Sequence, residues 1–589
     1  MSEKSRVGSN IVFAVTLLVM IGFRIWLSMG IPMMTLYQPH DDLYFAKAAH
    51  YIMNGDWMGP YSQMTLIKAP FYSFFLAASA ATGLSLFLVE NLFYIGACLV
   101  LFFALKPVVK NRWLRLLAFT FLLYAPIGMA TWWNLRVYRE YVYLSLSLYV
   151  ISFSIGLLLR LNQKTRKLLP WSIGLGLSMG AFLITREDGI WIMPVLLLLL
   201  LSCLAMIWLW KMDQKLIRSL LVILPIMLWY MPTVIVSSIN YAHYGFWGVS
   251  DQLDSEFQRV MNTLGRIQVA GSKWSPEIQV TKAARMKAYE VSPLLNTMKN
   301  SIEEAVPFYI EGSTAGQKVK PDWYIQQYGI ETNEIGNSHL PWMLRDVVAS
   351  YGYYVNAKTA HEFYKQVADQ LEAACNDGRL TCSPPKNIPL VGSIDQRQVP
   401  LIYRIAYEGA YYMLKSSYVK ILSFDLSTWP MWPSNDNEYA YFQEFTNDSV
   451  DVRMFQASAD PVEESVLNHL NLKLLPYKHK MMAKIAQIYK PFTYPLSIIS
   501  LFFWIILTFV AFWKKHREQT LIVIGAIFVL GTFLSRLITL SIVYATTTIS
   551  GLTYGTSIFL FALVFVVMML SSSAEFVLEF FSSKVKGKQ

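Results

Sequence analysis

Two adjacent carboxylates and a lysine follow directly on an apolar span that runs from about Ile11 to Gly30. They belong to His40-Asp41-Asp42-Leu43-Tyr44-Phe45-Ala46-Lys47, which leads on to Gly55-Asp56-Trp57 and Lys68-Ala69-Pro70. Charge beside hydrocarbon is poorly solvated and costly to keep. Desolvation raises the pKa of such a carboxylate, which suits a general base taking a proton from a hydroxyl; a metal-ligand role is the alternative. The plainer reading is a helix N-terminus with two acids in its first turn, favoured by the dipole. Lys68 is either a lysine snorkelling to the interface or a phosphate contact.

Other charges gather on the same face. Arg136, Arg139 and Glu140 stand between two apolar spans, and so do Arg186, Glu187 and Asp188. Ion pairing at helix ends explains each group singly and contributes little. Three separate loops bringing acids and cations to one membrane face compose a site for a phosphate and a hydroxyl substrate, with guanidinium groups as phosphate partners. Arg536, before Tyr544, reads equally as structural or functional. Asp251, Asp254 and Glu256 read as a solvated helix face. Asn447-Asp448-Ser449 matches a glycosylation acceptor, a triplet common by chance.

The elements that must position these groups are membrane helices. The 589 residues are 54% hydrophobic and only 15% charged, the composition of a polytopic membrane protein. The net charge of +11 does not indicate nucleic acid, because the basic residues sit in short loops where they orient helices. About 20 apolar residues cross a bilayer. Ten spans are expected: Ile11–Gly30, Leu86–Leu105, Leu114–Met129, Tyr141–Leu159, Leu169–Leu183, Ile190–Trp210, Ile217–Val236, Tyr494–Trp513, Leu521–Leu534 and Gly551–Leu570. The first reads as a transmembrane helix, since no small-x-small cleavage site is evident before Tyr37. Basic loops at Lys106–Arg115, Arg160–Lys167, Lys211–Arg218 and Lys514–Arg517, with the tail Lys584–Lys588, fall on one side if both termini are cytoplasmic. Phe71–Gly83 is then a shallow helix at the outer surface.

The expected organisation is an N-terminal transmembrane catalytic module over 1–239, with its first outer loop at 31–85. An extracytoplasmic, mainly helical domain over 240–490 and C-terminal helices with a cytoplasmic tail over 491–589 follow. A more strand-like, turn-rich part is expected over Ile421–Phe455. In an oxidising compartment Cys375 and Cys382 can close a short-loop disulfide. Nucleotide-binding loops are absent; Gly174-Leu175-Gly176 with Gly180 sits mid-span and reads as a helix-packing face.

The first-loop motif resembles the GT-C superfamily of integral-membrane glycosyltransferases, in the branch of protein O-mannosyltransferases and lipid A aminoarabinose transferases. Those carry Asp-Glu, an aromatic four residues after the Asp, an Ala, then Gly-Asp-Trp, then Lys-Pro-Pro or His-Pro-Pro with a Tyr. Asp41-Asp42, Phe45, Ala46, Gly55-Asp56-Trp57 and Lys68-Ala69-Pro70-Phe71-Tyr72 fall in that order. Asp42 replaces Glu, Ala69 replaces one Pro, and the long insert lies between the seventh and eighth spans. The match covers about 45 residues, with weaker agreement over the first seven spans.

The resemblance implies a GT-C fold and transfer of a sugar, with inversion, from a polyprenyl-phosphate donor to a hydroxyl of a glycan, lipid or protein at the outer face of a cytoplasmic (inner) membrane. It implies Asp41 as base, with Asp42 and Glu140 orienting substrates or holding a divalent cation such as Mg or Mn. Lys68, Arg139, Arg186, Arg136, Arg536 and Tyr44 would hold the lipid phosphate and sugar. A polysaccharide polymerase or ligase is the runner-up. A transporter fits less well, because the spans read as nearly free of charge.

Overall fold

The computed structural model describes residues 3–36, 40–272, 275–384, 396–414, 419–424, 436–448, 466–514, 516–547 and 554–586. The described residues are helical, with isolated β-bridges and no sheet. Among the described residues eight helices are long and apolar enough to cross a membrane: Val7–Ser28, Leu86–Ala104, Glu140–Leu158, Glu187–Leu209, Lys215–Tyr244, Leu472–Trp513, Arg517–Thr546 and Thr556–Phe580. The chain is a multi-pass membrane protein.

Two of the ten expected spans are helices shorter than a bilayer crossing needs. Leu169–Leu183 falls on its expected bounds, with 15 residues. The helix expected over Leu114–Met129 is Arg112–Leu123, of 12 residues; it stops before Pro126, which opens a 3-10 turn instead, because proline cannot donate within a helix. Phe71–Ala80 is a ten-residue helix, too short to cross. The span expected from Tyr494 belongs to one helix, Val466–Lys514, which runs unbroken across residue 490. Within the strand-like expectation, the described residues hold the helix Asp436–Thr446 and a single bridge from Ile421 to Thr131; the rest of that stretch lies outside them.

The hydrophobic core is divided. The membrane helices share one cluster, within which Glu140–Leu158 and Thr556–Phe580 are central and Val7–Ser28 is mostly outward-facing. The insert has its own core, built around Val260, Val348, Val367 and Leu371. Cys375 and Cys382 are joined by a disulfide beside it.

The glycine pair in Leu169–Leu183 marks a close helix crossing. A β-carbon on Gly176 would collide with Leu228 and stand 3.1 Å from the Pro225 carbonyl; one on Gly180 would stand 2.8 Å from Pro232. Both contacts are with Lys215–Tyr244.

The spans are not as free of charge as their hydropathy suggests. Arg24 and Glu90 are fully buried within them. Arg24 is held by neutral groups, donating to Asn91 Oδ1 at 2.7 Å and to the Gly128 carbonyl. Glu90 accepts from Tyr72 at 3.3 Å. Single charges of this kind hide inside long apolar windows.

Gly176→Val should lower thermal stability in detergent by about 1–3 kcal/mol, the usual cost of overpacking. Gly8→Val, with nothing within 4 Å, should leave it unchanged. An unaltered melting temperature for Gly176→Val would contradict the crossing.

Candidate active site

Asp41 occupies the N-cap of the helix Asp42–Met53, yet its side chain makes no capping hydrogen bond. It turns instead to Lys68, forming an ion pair, with Arg136 Nη2 4.0 Å away. Asp42 points inward. It is fully buried and takes a bidentate guanidinium from Arg136, whose Nε stands 3.1 Å from Oδ1. Arg136 follows a turn over 132–134 and forms a parallel bridge with Met34, whose N donates to the Leu135 carbonyl at 2.7 Å. The two neighbouring acids thus differ: about a third of the Asp41 side chain is exposed, and none of Asp42 is.

Lys68 is itself buried, with its ammonium 5.1 Å from the Phe45 ring centre and 5.6 Å from that of Tyr138. The Tyr44 hydroxyl lies against the Thr65 and Lys68 carbonyls at 3.1 and 3.2 Å. Tyr44 therefore fixes the main chain that carries Lys68. Beside it, Ala69 N donates to Glu187 at 2.7 Å, and Glu187 pairs with Arg139 at 2.9 Å.

A second cluster adjoins the first. Arg186 pairs with Glu140 and, bidentately at 2.8 and 3.0 Å, with Asp188, which also accepts from Arg536 at 2.8 Å. Arg186 lies over Tyr143 and Tyr554. Five carboxylates (Asp41, Asp42, Glu140, Glu187, Asp188) thus meet five cations (Lys68, Arg136, Arg139, Arg186, Arg536). Arg139 Nε and Arg536 Nε and Nη2 are buried without partners among the described residues. The cationic side therefore has donors to spare.

Burial pushes the Asp41 carboxyl up, but Lys68 and the two arginines outweigh it and hold the group below the ordinary aspartate range. For Asp42 burial prevails over Arg136 and lifts the carboxyl to about 6. Burial also lowers the Lys68 ammonium, against the pull of Asp41. The raised acid is therefore Asp42, and Asp41 is held down while Lys68 stays in place. Burial raises both carboxyls; Lys68 and the arginines reverse it at Asp41, and Arg136 does not at Asp42.

The proposed cation ligands do not fit a metal. Asp42 is engaged by Arg136 and Glu140 by Arg186, so a cation there would have to displace a buried guanidinium.

A cavity of about 430 Å³ opens beside these clusters. Tyr138, Arg139, Arg186, Glu187 and Asp188 line its membrane side, and residues of the insert line the other. Asp41 and Lys68 stand next to Tyr138, outside that lining.

The insert also clamps the first loop. Arg345, on the helix Leu340–Ser350, donates to the Gln63 carbonyl at 2.6 Å and to Asp251 at 2.9 Å. Asp251 N and Ser250 Oγ bond the Leu66 and Ile67 carbonyls. From the same helix, Trp342 lies 4.4 Å from the His40 ring and Asp346 4.0 Å from its Nε2. Asp251 is therefore no part of a solvated face. Asp254 caps the helix Ser255–Leu264, and Glu256 pairs with Arg259. Asn447 donates to the Leu84 carbonyl; Ser449 of that triplet lies outside the described residues.

Helix bundle and charge cluster together define a multi-pass membrane protein with a dense ionic site at the mouth of its spans. Over 92% of its length the chain is similar to ArnT from Cupriavidus metallidurans in the apo state, at 12% identity and a TM-score of 0.29, covering 78% of that chain. The same protein bound to undecaprenyl phosphate matches 91% of this chain and 78% of its own, at 12% identity and a TM-score of 0.29. The archaeal oligosaccharyltransferase AglB from Archaeoglobus fulgidus, in complex with an inhibitory peptide and a dolichol-phosphate, matches 81% of this chain and 56% of its own, at 11% identity and a TM-score of 0.31. No family model and no curated protein matches the chain. At TM-scores near 0.3 these similarities stand beside the site and do not carry its interpretation.

Arg136→Ala should destabilise the protein by about 3–5 kcal/mol at neutral pH, because Asp42 is left buried without its cation. Asp42→Ala in the same chain should recover most of that loss; an unchanged melting temperature in the single variant would refute the pairing. Asp42 also sets a pH dependence. Its carboxyl is raised from 3.8 to about 6 in the fold, so between those values the folded chain keeps a proton that the unfolded chain has released. Its contribution to stability falls as pH rises through that window. Melting curves of Asp42→Asn should lack that decline.

Proposed function

We propose that this protein is a membrane glycosyltransferase that moves a sugar from a polyprenyl-phosphate donor to a hydroxyl acceptor. The Asp41–Lys68 pair carries the reading: a partly open carboxylate held by a buried ammonium, in a chain without nucleotide-binding loops. A donor phosphate gives Lys68 a second anion. As the ammonium turns to it, Asp41 loses the partner that suppresses its basicity and can accept the acceptor's proton. The acceptor oxygen then bonds to the anomeric carbon with inversion. The carbon–oxygen bond to phosphate breaks, and its electron pair leaves with the polyprenyl phosphate. Arg139 and Arg186 stabilise the charge on the departing group, and the spare Arg139 Nε supports that role. Asp42 and Arg136 hold the frame. Tyr44 acts through the main chain of Lys68, and Arg536 through Asp188.

The distribution of basic loops supports the chemistry lying on the outer face of a cytoplasmic (inner) membrane, with both termini inside and the insert extracytoplasmic.

Asp41→Asn should cut transfer by roughly 10²–10⁴-fold, the usual worth of a general base, while polyprenyl-phosphate binding persists. Full activity in that variant would sink the assignment. Lys68→Ala should raise the apparent KM for donor more than for acceptor; an unchanged donor KM would count against a phosphate contact.

A further inference from the structure

The cavity has two chemically different walls. Its membrane side carries Arg139 and Arg186 with their carboxylates. Its insert side carries five carboxamides, Gln252, Gln258, Asn262, Gln279 and Asn337, and no charged side chain. We propose that this insert wall is the acceptor subsite, and that it takes a neutral, hydroxyl-rich glycan. The proposal rests on reading the arginine wall as the phosphate site, which leaves the opposite wall to the acceptor.

Asn337 is committed at both ends, donating to the Thr546 carbonyl and accepting from Gln279 N, both at 2.7 Å; the other four amides are largely uncommitted. Gln258 Nε2 donates to the Gln252 carbonyl at 2.6 Å, which leaves its own oxygen free. The side chains of Gln252, Asn262 and Gln279 make no hydrogen bond among the described residues. A carboxamide offers a donor and an acceptor together, and so does each sugar hydroxyl. It cannot neutralise a charge. An ammonium or carboxylate on the ligand would lose hydration there and gain no counter-ion.

The helix Ser255–Leu264 is oriented for this. Gln258 and Asn262 are four apart and share a face. Its one cation, Arg259, is held away from the cavity by Asp369 at 2.8 Å and Glu372 at 2.6 Å. Asp254 fixes the helix start by accepting from Glu256 N and Phe257 N. Tyr138 and Tyr554 also line the cavity, with Lys68 and Arg136 over the first ring and Arg186 over the second.

The test places the full chain, in lipid nanodiscs, on an array of neutral, amino-sugar and uronic-acid oligosaccharides. Neutral members should be retained. Gln258→Ala/Asn262→Ala should lower their signal roughly tenfold, as two lost hydrogen bonds would. Gln258→Glu/Asn262→Asp should shift retention toward amino-sugar members, an effect that general loosening of the fold would not produce. Preference of the unaltered chain for charged members, retention of none, or indifference to both double variants overturns the proposal. Neutral-glycan retention without any transfer from a polyprenyl-phosphate sugar would instead overturn the donor reading and leave the amide wall standing.

Discussion

The ion pair between Lys68 and Asp41 is the constraint on which the rest of the site depends. The ammonium of a lysine side chain that is 7% exposed is stable in a membrane-edge site only with an anion beside it. Asp41 supplies that anion, and the Phe45 and Tyr138 rings supply their faces. The pair nevertheless stays exchangeable, because Asp41 keeps an open side. Asp42, Glu140 and Asp188 are locked to guanidinium groups. Arginine suits that task, since its fork satisfies both carboxylate oxygens. Lysine suits the exchangeable position, as a point charge on a flexible stem.

Holding that pair takes both halves of the chain. The membrane helices and the segments that join them deliver Arg136 and Arg139, Arg186, and Arg536 from three places in the sequence. The insert grips the first loop on both flanks of the pair, with Arg345 on the Gln63 carbonyl and Trp342 on His40. The insert also reaches the C-terminal end of Arg517–Thr546, where buried Lys320 donates to the Tyr544 carbonyl at 2.7 Å. Insert, first loop and the helix carrying Arg536 are thus tied by hydrogen bonds to main-chain groups. These ties position the site without taking part in its chemistry.

Much of this was legible in the sequence. Asp41-Asp42, Lys68 and the two arginine-rich loops stand out because charge is rare beside apolar spans, and the structure brings all of them together. Pairings were not legible. Nothing local assigns Asp41 to Lys68 and Asp42 to Arg136, so burial alone suggested a raised pKa for the pair, whereas the partners split them. Asp251 looked solvated because its partner Arg345 lies 94 residues away. Hydropathy located the spans but averaged over Arg24 and Glu90, and it missed the stop that Pro126 imposes. The glycine pair was legible, since small residues four apart on an apolar helix invite close packing.

The central claim is that the Asp41–Lys68 site transfers a sugar from a lipid phosphate. The most direct measurement supplies purified protein with a set of polyprenyl-phosphate sugars and hydroxyl acceptors and identifies the products by mass spectrometry. The account predicts one glycosylated acceptor and one free polyprenyl phosphate for each turnover. Absence of transfer from every polyprenyl-phosphate sugar, in protein that binds the lipid and is folded, would contradict it.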